Sequence, residues 1–302
     1  MSEPKNQHII PRCYLKQWVD PNTPTGQVWI FERNSKIGKK RSPKKILSKT
    51  DFYTLKGKDY RIENTLAQIE NDYARIFEEK IKNKIPLTKY EHAVFCAFVA
   101  AMFLRTSRHK ENVENLYDQI IEMTESFEKA KGIPPNESVR LKTLREDAHK
   151  LNIIKMAPHI TQTLLEMNLA FFCSENAGAF ITSDAPCYLF NSSLQWKIGP
   201  WASPGFMQRH VEVRIPLSTG ILATFSWANN FRGYLKINQD WVHEQNRMTR
   251  SRSHEYFIAN SQKIKRIWFS RYPLDPIFIV RVIIHKLKRS ITLFKYERKY
   301  RV

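Results

Sequence analysis

His8, Glu63, Glu70, Ser183 and Asp184 are the residues of this chain whose types suit proton transfer and hydrolysis. A histidine titrates near neutral pH and can serve as base or ligand. Glu63 and Glu70 are seven residues apart, close to two helical turns, so a helix would place both carboxylates on one face. Joined by Asp184 and His8 they would make a set for phosphodiester hydrolysis with Mg or Mn, Glu70 and Asp184 being the metal ligands. The metal in such a site activates water and offsets charge on the phosphate. Arg105 and Arg108, one turn apart at the end of an apolar run, can clamp a phosphate bidentately. Each of these residues also has a plainer reading. His8 can satisfy a backbone carbonyl, Glu63 can serve as an acid at a helix N-terminus, and Ser183 with Asp184 can bond nearby amides in a turn. The two arginines equally suit a helix C-terminus, where cations oppose the dipole.

The elements that must position these groups follow from the hydrophobic pattern. Short aromatic or β-branched clusters at 9–10, 28–31 and 52–55, separated by Pro21, Pro24 and Gly26, predict extended segments over the first 60 residues. From Ile62 the apolar residues Leu66, Ile69, Tyr73, Ile76 and Phe77 recur at steps of three and four, which predicts an amphipathic helix. Pro86 ends it, and Thr88 with Glu91 forms a capping box for the next helix, apolar on most of its circumference. A third helix is expected over 111–131, stopped by Gly132 and Pro134, with helical signal resuming from Asn136 to about Leu169. Short strands are predicted at 171–173, 179–182, 211–217 and 221–225, the last two joined as a hairpin by Ser218, Thr219 and Gly220. A helix over 239–251, a strand over 256–259 and a helical stretch through Phe269 follow, with two further strands at 277–284 and 291–296. The fold class is therefore α+β. A mixed or antiparallel sheet is built from N-terminal (1–60) and C-terminal (171–302) strands, with a helical block of about 100 residues (61–170) between them in one domain.

The chain has 302 residues and a formal net charge of +20, and the surplus is clustered. Residues 33–45 carry seven cations, among them Lys39, Lys40, Arg41, Lys44 and Lys45, and no acid. Residues 281–302 carry eight, among them Lys286, Lys288, Arg289, Arg298 and Lys299, against Glu297 alone. Cations within a Debye length of one another, about 8 to 10 Å, can neutralise neighbouring phosphates, and Phe294, Tyr296 and Tyr300 offer stacking faces for unpaired bases. Nucleic acid is thus the expected partner. The acidic residues from Glu111 to Glu125 fall at helical spacing and read as a solvated helix face.

Other classes are excluded. Hydrophobic residues make up 42% of the chain, enough for a folded core. Gly-x-Gly-x-x-Gly, Walker and Gly-x-Ser-x-Gly signatures are lacking, as are helix-turn-helix, RNA-recognition and zinc signatures. Cys13, Cys96, Cys173 and Cys187 lie far apart and are expected as reduced thiols. No signal-peptide core or span of about 20 apolar residues is visible, so a cytoplasmic protein without membrane contact is expected.

The segment around His8 has a grammar of its own. His8-x-x-Pro11-x-x-Tyr14-Leu15, with Pro4 before it and Trp18 after it, describes a pinned terminus. It resembles the opening His-Tyr-Val-Pro-x-x-Tyr-Leu motif of the bacterial domain-of-unknown-function family 4238. Further stretches are similar in the same order: 27–32, Asp51-Phe52-Tyr53-Thr54, 63–70, Arg105-Thr106-Ser107, Phe180-Ile181-Thr182-Ser183-Asp184 and Ile215-Pro216-Leu217-Ser218. The chain departs from the family pattern at Ala185, where Asn-Pro more often follows the aspartate, and at Ser107, where Pro more often follows Arg-Thr. The resemblance implies an architecture and no activity.

Three functions fit these observations: a metal-dependent nuclease with His8, Glu63, Glu70, Ser183 and Asp184 at its centre, a non-catalytic RNA- or DNA-binding protein, and a defence or toxin-like effector that binds a protein partner.

Overall fold

A computed structural model describes residues 6–55, 59–175, 178–191, 205–228 and 231–270. The predicted strands at 277–284 and 291–296, and the cations Lys286, Lys288, Arg289, Arg298 and Lys299, lie outside the described residues.

The N-terminal part opens with strand β1 (Asn6–His8) and one turn of helix, α1 (Arg12–Leu15). Strands β2 (Val28–Glu32), β3 (Gly38–Arg41) and β4 (Ser48–Thr50) follow. Gly38 is required where it stands, because a Cβ there would come within 2.4 Å of the Phe31 ring on β2. The expected extended segment at 52–55 is instead a turn. Asp51 takes a left-handed backbone (φ +50°), and only Leu55 bridges outward, to Asp59.

Helix α2 (Arg61–Ile76) runs on into a π turn at Phe77–Ile81. Helix α3 (Lys89–Leu104) begins with the expected box: Glu91 donates its amide to Thr88 Oγ1, and Thr88 donates its amide to Glu91 Oε2. Its residues Phe95, Cys96, Phe98, Val99, Ala100, Ala101 and Met102 are buried on successive faces, so α3 lies inside the helical block. Helix α4 (Ser107–Lys131) ends on Gly132 in the left-handed conformation (φ +63°). The expected continuous helical signal from Asn136 divides into α5 (Asn136–Arg145) and α6 (Ala148–Glu166), and Asn168 already belongs to a strand.

The C-terminal part contains β5 (Asn168–Cys173), β6 (Thr182–Ser183), β7 (Tyr188–Asn191), β8 (Val211–Pro216), β9 (Ile221–Ser226), β10 (Gly233–Lys236), α7 (Gln239–Ser251) and β11 (Tyr256–Ala259). The strand expected at 179–182 pairs only from Thr182 onward. Side chains have taken three of its earlier backbone groups: Asn246 accepts from the Ile181 amide and donates to the Ala179 carbonyl, and Trp18 Nε1 donates to the Phe180 carbonyl, while the Phe180 amide donates to the Thr219 carbonyl.

Two larger sheets result. The order β3-β2-β11-β6 is antiparallel throughout and joins the two ends of the chain, as the α+β reading required. The order β10-β5-β9-β8-β7 is mixed, with β10 parallel to β5 and the rest antiparallel. β1 pairs with β4 in a separate ribbon. One buried cluster unites Tyr14, Leu15 and Trp18, the apolar faces of α2, α3 and α6, and Val213, Ile215 and Phe225 of the mixed sheet. Among the described residues no helix is long and apolar enough to cross a membrane.

Candidate functional site

Four of the candidate residues meet. Arg105 caps the C-terminus of α3 with 2% of its surface exposed. Its Nη1 donates to Glu70 Oε1 at 2.6 Å, its Nη2 to the His8 carbonyl at 2.5 Å and its Nε to Tyr53 Oη at 3.3 Å. Tyr53 Oη in turn donates to the Arg105 carbonyl at 3.0 Å. Burial alone would lower the pKa of Arg105, but the Tyr53 and Glu70 oxygens outweigh it and raise it. Next to this knot, Gln7 Nε2 donates to Glu63 Oε2 at 2.6 Å and to Thr54 Oγ1 at 2.8 Å, while its Oε1 accepts from the Tyr53 amide at 2.5 Å. Glu63 has its pKa raised by burial and, after the opposing Gln7 bond, by the nearby Glu70 charge.

The network is built by three local facts. β1 pairs with β4 so that His8 stands opposite Ser48, α2 presents Glu63 and Glu70 on one face, and α3 ends at Arg105. Gln7, Tyr53 and Thr54 belong to it and were not singled out in the sequence. The signal for Gln7 was its place beside His8 in the pinned segment, and for Tyr53 and Thr54 their place in the 51–54 block.

His8 is half-buried. Burial lowers its pKa, against a raising bond with the Lys44 backbone, so the ring is neutral at pH 7, and its Nε2 is buried without a hydrogen-bond partner. Cys13 borders Glu70, and its thiol is raised to about 11 by burial, which leaves it inert as a nucleophile near pH 7. Cys13 is half-buried and the other three cysteines are buried, all four free.

Asp184 does not join this group. Its Oδ1 accepts from the His254 amide at 2.8 Å, and its Oδ2 from the amides of Glu255 at 2.7 Å and Tyr256 at 2.8 Å. Ser183 is fully buried and its Oγ accepts from the Ala185 amide at 3.2 Å. The turn reading of this motif therefore describes the geometry, and among the described residues neither side chain bonds to Glu63, Glu70 or His8. Nor do the residues fit a divalent ion. Glu70 is held by Arg105, both oxygens of Asp184 are held by amides, and among the described residues no three of His, Cys, Asp and Glu converge.

The two arginines part company. Arg105 has no donor turned outward to clamp a phosphate. Arg108, in the first turn of α4, donates from Nη1 to the Arg252 carbonyl at 2.6 Å and stays exposed. It borders a cavity of about 220 Å³ lined also by Thr106, His109, Asn112, Tyr188 and Arg252. A larger apolar groove of about 790 Å³ runs between α2, α3 and α6, and among the described residues Arg61 is the one charged residue lining it.

Among the described cations of the basic segment, Lys39, Lys40 and Arg41 occupy β3, the edge strand of its sheet, and Lys44 and Lys45 the helical turn after it. Lys40 sits over the Trp29 ring at 5.2 Å and Lys36 over the Phe269 ring at 5.3 Å. Among the described residues no carboxylate forms a salt bridge with Lys39, Lys40, Arg41, Lys44 or Lys45.

The sequence family described as Protein of unknown function (DUF4238) matches residues 6–263. The chain belongs to that family. No curated protein and no solved structure matches it.

Proposed function

We propose that this protein binds nucleic acid along the exposed edge formed by β3 and the Pro43–Lys45 turn, without cleaving it. The observation that supports this reading is a run of seven cations at 33–45 with no acid, five of them on that edge or its turn. Neutralising phosphates releases counterions, so such a surface draws its affinity from charge. Trp29, half-buried beneath Lys40, adds an aromatic face of the kind unpaired bases stack on.

Binding ranks above cleavage for a geometric reason. A nuclease reading asks His8, Glu63, Glu70 and Asp184 to share one pocket, whereas Asp184 is spent on backbone amides and His8 Nε2 has no exposed surface.

Fluorescence anisotropy of labelled single-stranded RNA and DNA with the purified full chain tests the proposal. Affinity should fall steeply with salt, with a log–log slope of several units, about 0.7 per neutralised phosphate on a single strand. The K39A/K40A/R41A variant should bind about tenfold more weakly and with a shallower slope. Affinity unchanged by that variant, or flat from low to moderate salt, overturns the proposal. Cleavage in Mg, in Mn or in a chelator that His8→Ala abolishes would replace it with the nuclease reading.

A further inference from the structure

The blocks Arg105-Thr106-Ser107 and Thr182-Ser183-Asp184 stand far apart in sequence, and the nucleic-acid edge uses neither. In the fold Thr106 of the first block and Ala185, the residue that follows the second, line the same small cavity. Thr106 and Arg108 enter from the start of α4, Ala185 from the turn after β6, Tyr188 from the start of β7, and Arg252 from the end of α7.

Asp184 explains why Arg252 is held there. Its carboxylate gathers the amides of His254, Glu255 and Tyr256, the residues that follow the α7 cap, and so fixes the backbone from which Arg252 projects. Arg108 fixes it from the other side by donating to the Arg252 carbonyl. Two guanidiniums are thereby placed at one cavity with no acid in its lining among the described residues.

Nearby charge does not quench them. Arg214 is paired with Glu212 and Arg247 with Glu244, while Arg33 donates to the Ser251 carbonyl. Glu111 and Asp184 lie within electrostatic reach of Arg108, but Asp184 is committed to amides. Among the described residues, neither Arg108 nor Arg252 forms a hydrogen bond or salt bridge with a carboxylate, and Arg252 lies over the Tyr188 ring at 5.7 Å. Partial enclosure of the guanidinium lowers the pKa of each arginine, although the Arg108 residue as a whole is exposed, and neighbouring cations add to it, Arg33 at Arg108 and Arg108 at Arg252, a penalty that a bound anion relieves.

We propose that the cavity between Arg108 and Arg252 binds the phosphate group of a small phosphomonoester. Charge favours phosphate over carboxylate: a phosphomonoester brings about −1.5 to −2 at pH 7, matching two guanidiniums, and its oxygens accept fork-like donor pairs. Size favours a small ester. The cavity's 220 Å³ equals the liquid volume of about seven waters and falls below the roughly 300 to 1,000 Å³ of drug-sized sites. Thr106 and Asn112 add neutral polar groups, and His109 is kept neutral by burial with its Nε2 bonded to Asn152 Oδ1 at 2.8 Å.

Isothermal titration calorimetry of the full chain at low salt decides it, with ribose 5-phosphate, inorganic phosphate, ribose and acetate as probes. Ribose 5-phosphate and phosphate should bind, ribose should not, and acetate should bind at least about tenfold more weakly. R108Q and R252Q should each weaken ribose 5-phosphate binding about tenfold or more. Arg108 is exposed, so R108Q is expected to fold and decides alone if R252Q does not. K39A/K40A/R41A should leave these affinities unchanged, which separates this site from the nucleic-acid edge. A 5′-phosphorylated trinucleotide that competes where its 5′-hydroxyl counterpart does not would identify a strand terminus as the phosphate's source. Failure of both to compete identifies a free small molecule. No binding of either phosphate probe at about 10 mM, or R108Q that binds like the parent protein, overturns the proposal.

Discussion

Arg105 and Arg108 stand three residues apart across the α3–α4 junction, and the fold uses them in opposite ways. Arg105 is sealed among a carboxylate, a hydroxyl and a carbonyl drawn from three other segments. Arg108 reaches one carbonyl and otherwise faces a cavity shared with a second arginine. Residue type is the same in both cases, so what separates a structural arginine from a ligand-binding one is whether its donors are spent. The comparison also divides the acids. Glu70 neutralises Arg105 directly, whereas Asp184 holds backbone amides and shapes the neighbourhood of Arg252 without bonding to it.

The sharpest way to break the comparison is to remove the sealed arginine. Arg105→Ala leaves the Glu70 carboxylate, the Tyr53 hydroxyl and the His8 carbonyl short of a donor in a mostly buried site. Breaking such a pair costs about 3 to 5 kcal/mol, and urea unfolding should read about 4. A loss below about 1 kcal/mol would mean that the network is not what ties β1 and α2 to α3.

Asp184→Ala should rank next, at about 3 kcal/mol by the same measurement, because three amides lose their acceptor in a buried site. It should also weaken ribose 5-phosphate binding, since Arg252 then projects from an unpinned backbone. Glu70→Ala, in contrast, should destabilise while leaving phosphate binding unchanged.

The local half of this comparison was legible in the sequence. Thr88 and Glu91 announced the start of α3, Gly132 the end of α4, and the patterns at 239–251 and 256–259 gave α7 and β11 with their bounds. A sheet drawing on both ends of the chain was expected from strands flanking a helical block, although which strands pair, here β2 with β11, was not. Fates of individual side chains were not legible, because they depend on partners set by tertiary packing. Nothing near Arg105 in sequence says that Glu70, 35 residues earlier, and the His8 carbonyl, 97 earlier, will consume its donors. Arg252 carried no signal at all, as its role exists only where α4, α7 and the β6–β7 turn meet. At 179–181 a valid strand pattern was overridden by the Asn246 amide.

Acid should act on the sealed side through His149. Its Nε2 bonds the Leu104 carbonyl at 2.9 Å, one residue before Arg105, and burial lowers its pKa to about 4 from an ordinary 6.5. A depressed folded-state value means that the contribution is fully present above about 6.5 and is lost as pH falls toward about 4. The span between those values corresponds to about 3 kcal/mol. His149→Gln, which keeps a donor for Leu104, should flatten the fall in unfolding free energy between pH 6.5 and 4. Glu63 and Asp184 run the other way. Burial raises both, against the lowering effect of their hydrogen bonds, so the part of the stability linked to their protonation is present below the ordinary carboxyl range and is lost as pH rises through their folded values. A wild-type stability that stays level down to pH 4 would show that His149 gains a proton without cost, and with it that the α3 terminus is looser than its hydrogen bonds describe.

The smallest effect is the most discriminating. Arg108→Gln removes a charge from an exposed side chain whose one hydrogen bond among the described residues goes to a carbonyl at the cap of α7, so its cost should stay within about 0.5 kcal/mol. The change can even be mildly stabilising, because Arg108 lies in the repulsive field of Arg33 and Arg252. A variant that folds as well as its parent yet no longer binds ribose 5-phosphate has lost a ligand contact alone. If Arg108→Gln instead costs as much as Arg105→Ala, the two arginines are both structural, and the difference between the regions disappears.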